Sequence, residues 1–197
     1  MRSIIERSLR FSARHLWLLA IFLGFFAIAY SGRATGAPAV APPAPIASGQ
    51  ERVFVYIGSS TCRFSNIEGL EKVVGTIREH VRQSAQRDSR RFVTVGIAKD
   101  SHVRAGLDHL EKFGSFDEVM TGRGWANIGV LKYMFDQLPG PGATPQIIIV
   151  DREVVADGGL WAMRNERVVA RRLGTNELQE WARNPSAFDD TAAKRLP

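Results

Sequence analysis

The residue types best suited to chemistry in this chain stand together at Cys62-Arg63-Phe64-Ser65. Cys62 is the one cysteine in the sequence, so it has no internal disulfide partner and belongs to no zinc site of Cys-pair type. An apolar run, Val53 to Ile57, ends just before it in Gly58-Ser59-Ser60, and a helical pattern follows it. At such a strand-to-helix junction, unpaired N–H groups and the helix dipole favour a thiolate and lower a thiol's pKa. Arg63 adds to this effect if its guanidinium turns back towards the sulfur. Ser65 reads as a helix-start residue that satisfies a backbone donor. Cys62 has two readings, a reactive thiolate or a small apolar side chain that packs well. Far along the chain, Ala143-Thr144-Pro145-Gln146 leads straight into an apolar strand, where a proline cannot donate to the ladder and marks a tight or cis bend.

The elements that would position these residues follow from periodicity. From Asn66 to Gln86, the apolar residues Ile67, Leu70, Val73, Val74, Ile77 and Val81 draw one helical stripe. Phe92 to Ala98 reads as a second strand, and Ser101 to Phe113 as a helix with Ser101 at its N-cap. Another helix spans Trp125 to Leu138 and is closed by Pro139-Gly140-Pro141-Gly142. The last strands are Gln146 to Val150 and Val154 to Ala156, with Asp151-Arg152-Glu153 as the turn between them. A second turn follows at Asp157-Gly158-Gly159, and Thr175 to Arg183 forms the final helix. The class is α/β, a small mixed sheet flanked by helices, with Cys62 at the carboxyl end of a strand where such folds place their sites. His80, His102 and His109 fall on different helices or faces and read as surface or capping residues, with no metal spacing among them. Gly122-Arg123-Gly124-Trp125 lacks the Lys-Ser/Thr of a phosphate loop, and Trp125, Trp161 and Trp181 read as packing residues.

This order of an apolar strand, a Cys-x-x-Ser at the first helix, and a Thr-Pro leading into strands and a last helix resembles the thioredoxin-like superfamily. The resemblance covers residues 51–183, with a longer, mostly helical stretch between Lys99 and Gly142 similar to the insertions of membrane-tethered, extracytoplasmic members. It implies a thioredoxin-like fold with a cis Thr144–Pro145 bond beside Cys62, where Thr144 and Pro145 offer backbone groups to an extended substrate. Two family positions are changed: the second cysteine of Cys-x-x-Cys is Ser65, and the buried acid six residues before the first cysteine is Tyr56. The residue just before the cysteine, an aromatic in the family, is Thr61. Such a chain can form a mixed disulfide but cannot resolve it from within. Cys-x-x-Ser is also similar to monothiol glutaredoxins, which use glutathione or hold an iron–sulfur cluster; on an exported domain the cluster is not expected, and no cofactor or metal is called for.

Export is the reading of the N-terminus. Residues 1–33 carry five arginines against Glu6 and contain the uncharged run Leu16 to Tyr30. Fifteen residues reach about 22 Å, short of a roughly 30 Å hydrocarbon core, which suits a secretory signal. Trp17 and Tyr30 bracket the run as interfacial anchors, and the long basic stretch before it favours a retained anchor. The expected organisation is a signal peptide or signal anchor over 1–33 with a hydrophobic helix, a Pro/Ala-rich linker over 34–50, a domain over 51–184 and a polar tail over 185–197. The domain would then be membrane-anchored and extracytoplasmic, periplasmic in a cell with an outer membrane, or else secreted or periplasmic and soluble. Of the chain's net charge of +6, residues 1–33 hold +4, so the pI near 10 does not mark a nucleic-acid-binding stripe. The expected function is mixed-disulfide exchange through Cys62, with Arg63 and Ser65 beside it and Thr144 and Pro145 as substrate rim. Its partners would be protein thiols or disulfides or glutathione, and two chains could cross-link through Cys62. The alternatives are a redox-inactive binding or assembly module of the same fold and a peroxidase-type use of Cys62, against which stands the missing Pro and Thr before the cysteine.

Overall fold

A computed structural model describes residues 48–157 and 160–184. The apolar run Leu16 to Tyr30, the linker up to residue 47, Gly158-Gly159 and the polar tail lie outside the described residues. Among the described residues no helix is long and apolar enough to cross a membrane.

Five strands form one mixed sheet in the order β3-β2-β1-β4-β5: β1 (Gly49–Gly58), β2 (Arg91–Ala98), β3 (Glu118–Met120), β4 (Gln146–Asp157) and β5 (Leu160–Leu173). β1 runs parallel to β2 and antiparallel to β4, so Ile57 sits between Ile97 and Gln146. Its residues alternate between two cores. Phe54 and Tyr56 face α1 (Leu70–Arg87), Leu110 of α2 (Val103–Glu111), and Leu178 and Trp181 of α3 (Gly174–Arg183). Val53, Val55 and Ile57 face the other way, onto Val130, Tyr133 and Met134. A strand buried on both sides reads as an unbroken apolar run, which is why this one was visible in the sequence.

Asp151-Arg152-Glu153 is not a turn. It continues β4, and the register explains how a charged triplet stays in a sheet. Glu51 lies opposite Arg152 and Arg52 opposite Asp151, so each buried charge meets its counterion on the next strand. Arg52 Nε is 2.9 Å from Asp151, and Arg152 Nε is 2.6 Å from Glu51. These pairs also carry β1 back to Gly49, two residues into the expected linker. The partner of β4 is the 14-residue β5, an edge strand that the sequence did not announce.

The helical segments also differ in detail. Arg63–Asn66 is a separate 3₁₀ turn, and α1 begins only after Gly69, whose φ of +81° suits glycine. The stretch read as one helix from Trp125 is three short turns: a 3₁₀ turn Gly124–Ala126, an α turn Ile128–Val130 and a π turn Leu131–Phe135. Asn127 restarts the helix by accepting from the N–H groups of Gly129 and Val130. At α2 the cap position is His102 rather than Ser101, and its side chain makes no capping bond.

Candidate functional site

Gly58 ends β1, and the chain leaves the sheet through Ser59, Ser60 and Thr61 to reach Cys62. This loop is fixed from two sides. Buried Asp100, just beyond β2, accepts from the Ser60 N–H at 3.1 and 3.2 Å and from the Ser60 hydroxyl. On the other side the Asn66 amide donates to the carbonyls of Ser59, Ser60 and Cys62 at 3.1, 3.0 and 2.7 Å. Neither residue stood out in the sequence, because a side chain that ties a loop has no spacing signature.

Cys62 is half-buried and sits at the cap of the 3₁₀ turn, not of an α-helix. The α-helix dipole expected behind it is therefore replaced by the N–H groups of one short turn. The Cys62 Sγ–H donates to the Thr144 carbonyl at 3.4 Å, and the Thr144–Pro145 bond is cis. Residues 82 positions apart thus meet, Thr144 half-buried and Pro145 buried. Burial pushes the Cys62 thiol up, but the nearby side chains of Thr144 and Ser65 and the N–H groups of Ser65 and Phe64, which favour the thiolate, outweigh it. The net result is a lowered pKa.

Arg63 is exposed and makes no hydrogen bond or ion pair with a described residue, so it is not gathered onto the sulfur. Ser65 is 1% exposed, and its hydroxyl has no partner within hydrogen-bond geometry. It nevertheless lies close enough to favour both the Cys62 thiolate and the Tyr56 phenolate.

Against Gly58 lies a buried pair. Tyr56 Oη lies 3.4 Å from His109 Nε2, and both residues are at most 1% exposed. His109 is thus a core residue, not the surface or capping residue its spacing suggested; it packs edge-on against Phe113 at 5.2 Å. Desolvation first, then the positive charge of Lys112, lower its pKa to about 4 against the pull of Asp100, so the ring is neutral. Burial raises the Tyr56 phenol well above its usual range. Gly58 has to be glycine here: a Cβ would come within 2.5 Å of His109 Nε2 and 2.6 Å of Tyr56 Oη.

Several large apolar side chains are exposed. Phe64 is 58% exposed, and Trp125 and Phe135 are half-exposed with ring centroids 6.0 Å apart. Lys99 Nζ lies 4.4 Å above Trp125, while Gly142, three residues before Pro145, packs on Phe135. Trp161 is also half-exposed, whereas Trp181 is in the core. Among the described residues no group of three or more His, Cys, Asp or Glu side chains gathers as for a metal ion. No family model matches the chain, and neither a curated protein nor a solved structure is found to be similar to it.

Proposed function

We propose that this chain is a monothiol exchange protein of thioredoxin-like fold, in which Cys62 forms a mixed disulfide with a partner protein or a small thiol. The observation that carries the reading is the partly exposed Cys62 thiol, held at 3.4 Å from the carbonyl before a cis-proline, with the polar groups of Thr144, Ser65 and Phe64 lowering its pKa. An inert core cysteine needs neither exposure nor such donors. Support for the fold comes from the strand order, with two parallel neighbours on one side of β1 and an antiparallel pair on the other, and from the final helix that follows.

In the step itself the Cys62 thiolate attacks one sulfur of a disulfide. A Cys62–partner S–S bond forms, the old S–S bond breaks, and the second sulfur leaves as a thiolate with the electron pair. Ser65 cannot reverse this, so the resolving thiol belongs to the partner or to glutathione. Thr144, Pro145 and the exposed Phe64 form the rim on which an extended segment would lie. An anchor within residues 1–33 would hold the domain on the oxidising side of a membrane, where such disulfides persist.

The test is the pH dependence of Cys62 alkylation in the full chain, with the guanidinium-unfolded chain as reference near pKa 8.5. A native midpoint clearly below the unfolded one, together with a mixed disulfide formed on adding oxidised glutathione, is expected. A native thiol that is protected, or that titrates as the unfolded one does, would sink the redox reading and leave a binding module.

A further inference from the structure

Between the π turn and β4, residues 139–145 run without helix or strand, so no ladder donates to their carbonyls. Pro139, Pro141 and Pro145 also lack an N–H of their own. Two side chains stand in for the ladder. The buried Gln146 amide donates to the carbonyls of Pro141 and Ala143 at 3.1 and 2.7 Å, and its Oε1 accepts from Arg171 at 2.9 Å. The Arg171 guanidinium, reaching across from β5, donates further to the carbonyls of Tyr133 and Leu138 at 3.0 and 2.7 Å. We propose that Gln146 and Arg171 are positioning residues for thiol exchange, which together set the Thr144–Pro145 rim against Cys62 and so determine how well the site takes an extended peptide disulfide. The inference rests on the thiol reading above and deepens it by naming what holds the rim.

The pair fixes the segment along its length. Leu138 is tied just before it, Pro141 within it, and Ala143 directly before Thr144, whose carbonyl accepts from the Cys62 thiol at 3.4 Å. From the other side the Gly174 N–H donates to the Pro145 carbonyl at 2.8 Å. The fit leaves no slack at Gly140, where a Cβ would run into the Arg171 guanidinium. The three acceptors of that guanidinium are neutral, and burial lowers its pKa from the ordinary value. A buried cation is costly, but its bonds are charge-assisted and stronger than those an amide would give the same carbonyls. Gln146 alone reaches Pro141 and Ala143, and Arg171 alone reaches Tyr133 and Leu138; joined to each other, they make one brace from the π turn to the rim.

The test is the rate at which the full chain forms a mixed disulfide with two probes. One is 2-hydroxyethyl disulfide, and the other a short peptide whose one cysteine is capped with 2-mercaptoethanol. With each, the Cys62 thiolate forms a new S–S bond, the old one breaks, and 2-mercaptoethanol leaves as its thiolate with the electron pair. The wild-type chain should react faster with the peptide, which can lie on the rim. Gln146→Glu keeps an acceptor for Arg171 but turns an oxygen towards the Pro141 and Ala143 carbonyls. Gly140→Ala presses on the guanidinium from the segment's side and removes no hydrogen-bonding group. Either change should lower the ratio of peptide rate to small-disulfide rate about fivefold, the equivalent of one neutral hydrogen bond. Thermal unfolding checks that the variants fold, and should Gln146→Glu unfold, Gly140→Ala decides by itself. An unchanged ratio in a folded variant, or a wild-type chain with no preference for the peptide, would overturn the inference while the thiol reading stands. A wild-type chain that reacts with neither probe would overturn both.

Discussion

At Cys62 two effects of opposite sign meet: burial raises the thiol's pKa, and donors from Thr144, Ser65 and Phe64 lower it further than burial raises it. None of those donors carries a formal charge. A cation does stand next in sequence, but Arg63 is exposed and has no partner among the described residues, and it does not figure among the groups that shift the thiol. Solvent screening of an exposed side chain leaves it little leverage. Arg63→Ala should therefore move the alkylation midpoint by less than about 0.3 pH unit. A larger upward shift would return Arg63 to the role its position in the sequence suggested. Which neighbour activates the sulfur was not legible because adjacency along a chain says nothing of which way a side chain turns. The cysteine itself was legible, as was the Thr144-Pro145 dipeptide, whose proline constrains the backbone whatever surrounds it.

At the scale of elements, the sheet is tied at both ends of β1 by different means. At the carboxyl end, Asp100 and Asn66 hold the loop that presents Cys62. At the amino end, Arg52 is held by Asp151, by Asp88 at 2.7 Å and by the Ser84 hydroxyl at 2.6 Å, while Arg152 joins Glu51 to Glu118. Such buried pairs add little net stability, but breaking one leaves a charge stranded out of water. Asp151→Asn should cost about 3 kcal/mol in urea unfolding, and a combined Arg52→Met and Asp151→Leu change should recover much of that loss. If the single change costs nothing, the block is solvated and does not hold the strands. The same block is what misled the reading of Asp151-Arg152-Glu153. Charged triplets look like turns until their partners are known, and Glu51 and Arg52 lie 101 and 99 positions from Arg152 and Asp151. α1 and the central strands were legible because their periodicity is local, whereas β5 and the turns from Gly124 to Phe135 depend on tertiary pairing that no window of sequence contains.

For the molecule as a whole, the group behind the thiol sets a condition on stability. A histidine in the core is tolerated only as the neutral ring, and His109 has its pKa lowered from the ordinary 6.5 to about 4, mainly by desolvation. In the unfolded chain the same ring takes up a proton near pH 6.5. Between these values the unfolded state binds more protons, so stability is full above pH 6.5, declines as the pH falls and levels off once it drops below about 4. The share due to His109 is at most about 3 kcal/mol, a large fraction of what a domain of this size has. Urea midpoints measured from pH 7.5 to 4 should fall steeply for the wild-type chain. In His109→Gln, which has no titrating ring, they should start lower and fall by clearly less over the same range. Parallel curves for the two proteins would mean that the ring is hydrated in the native state.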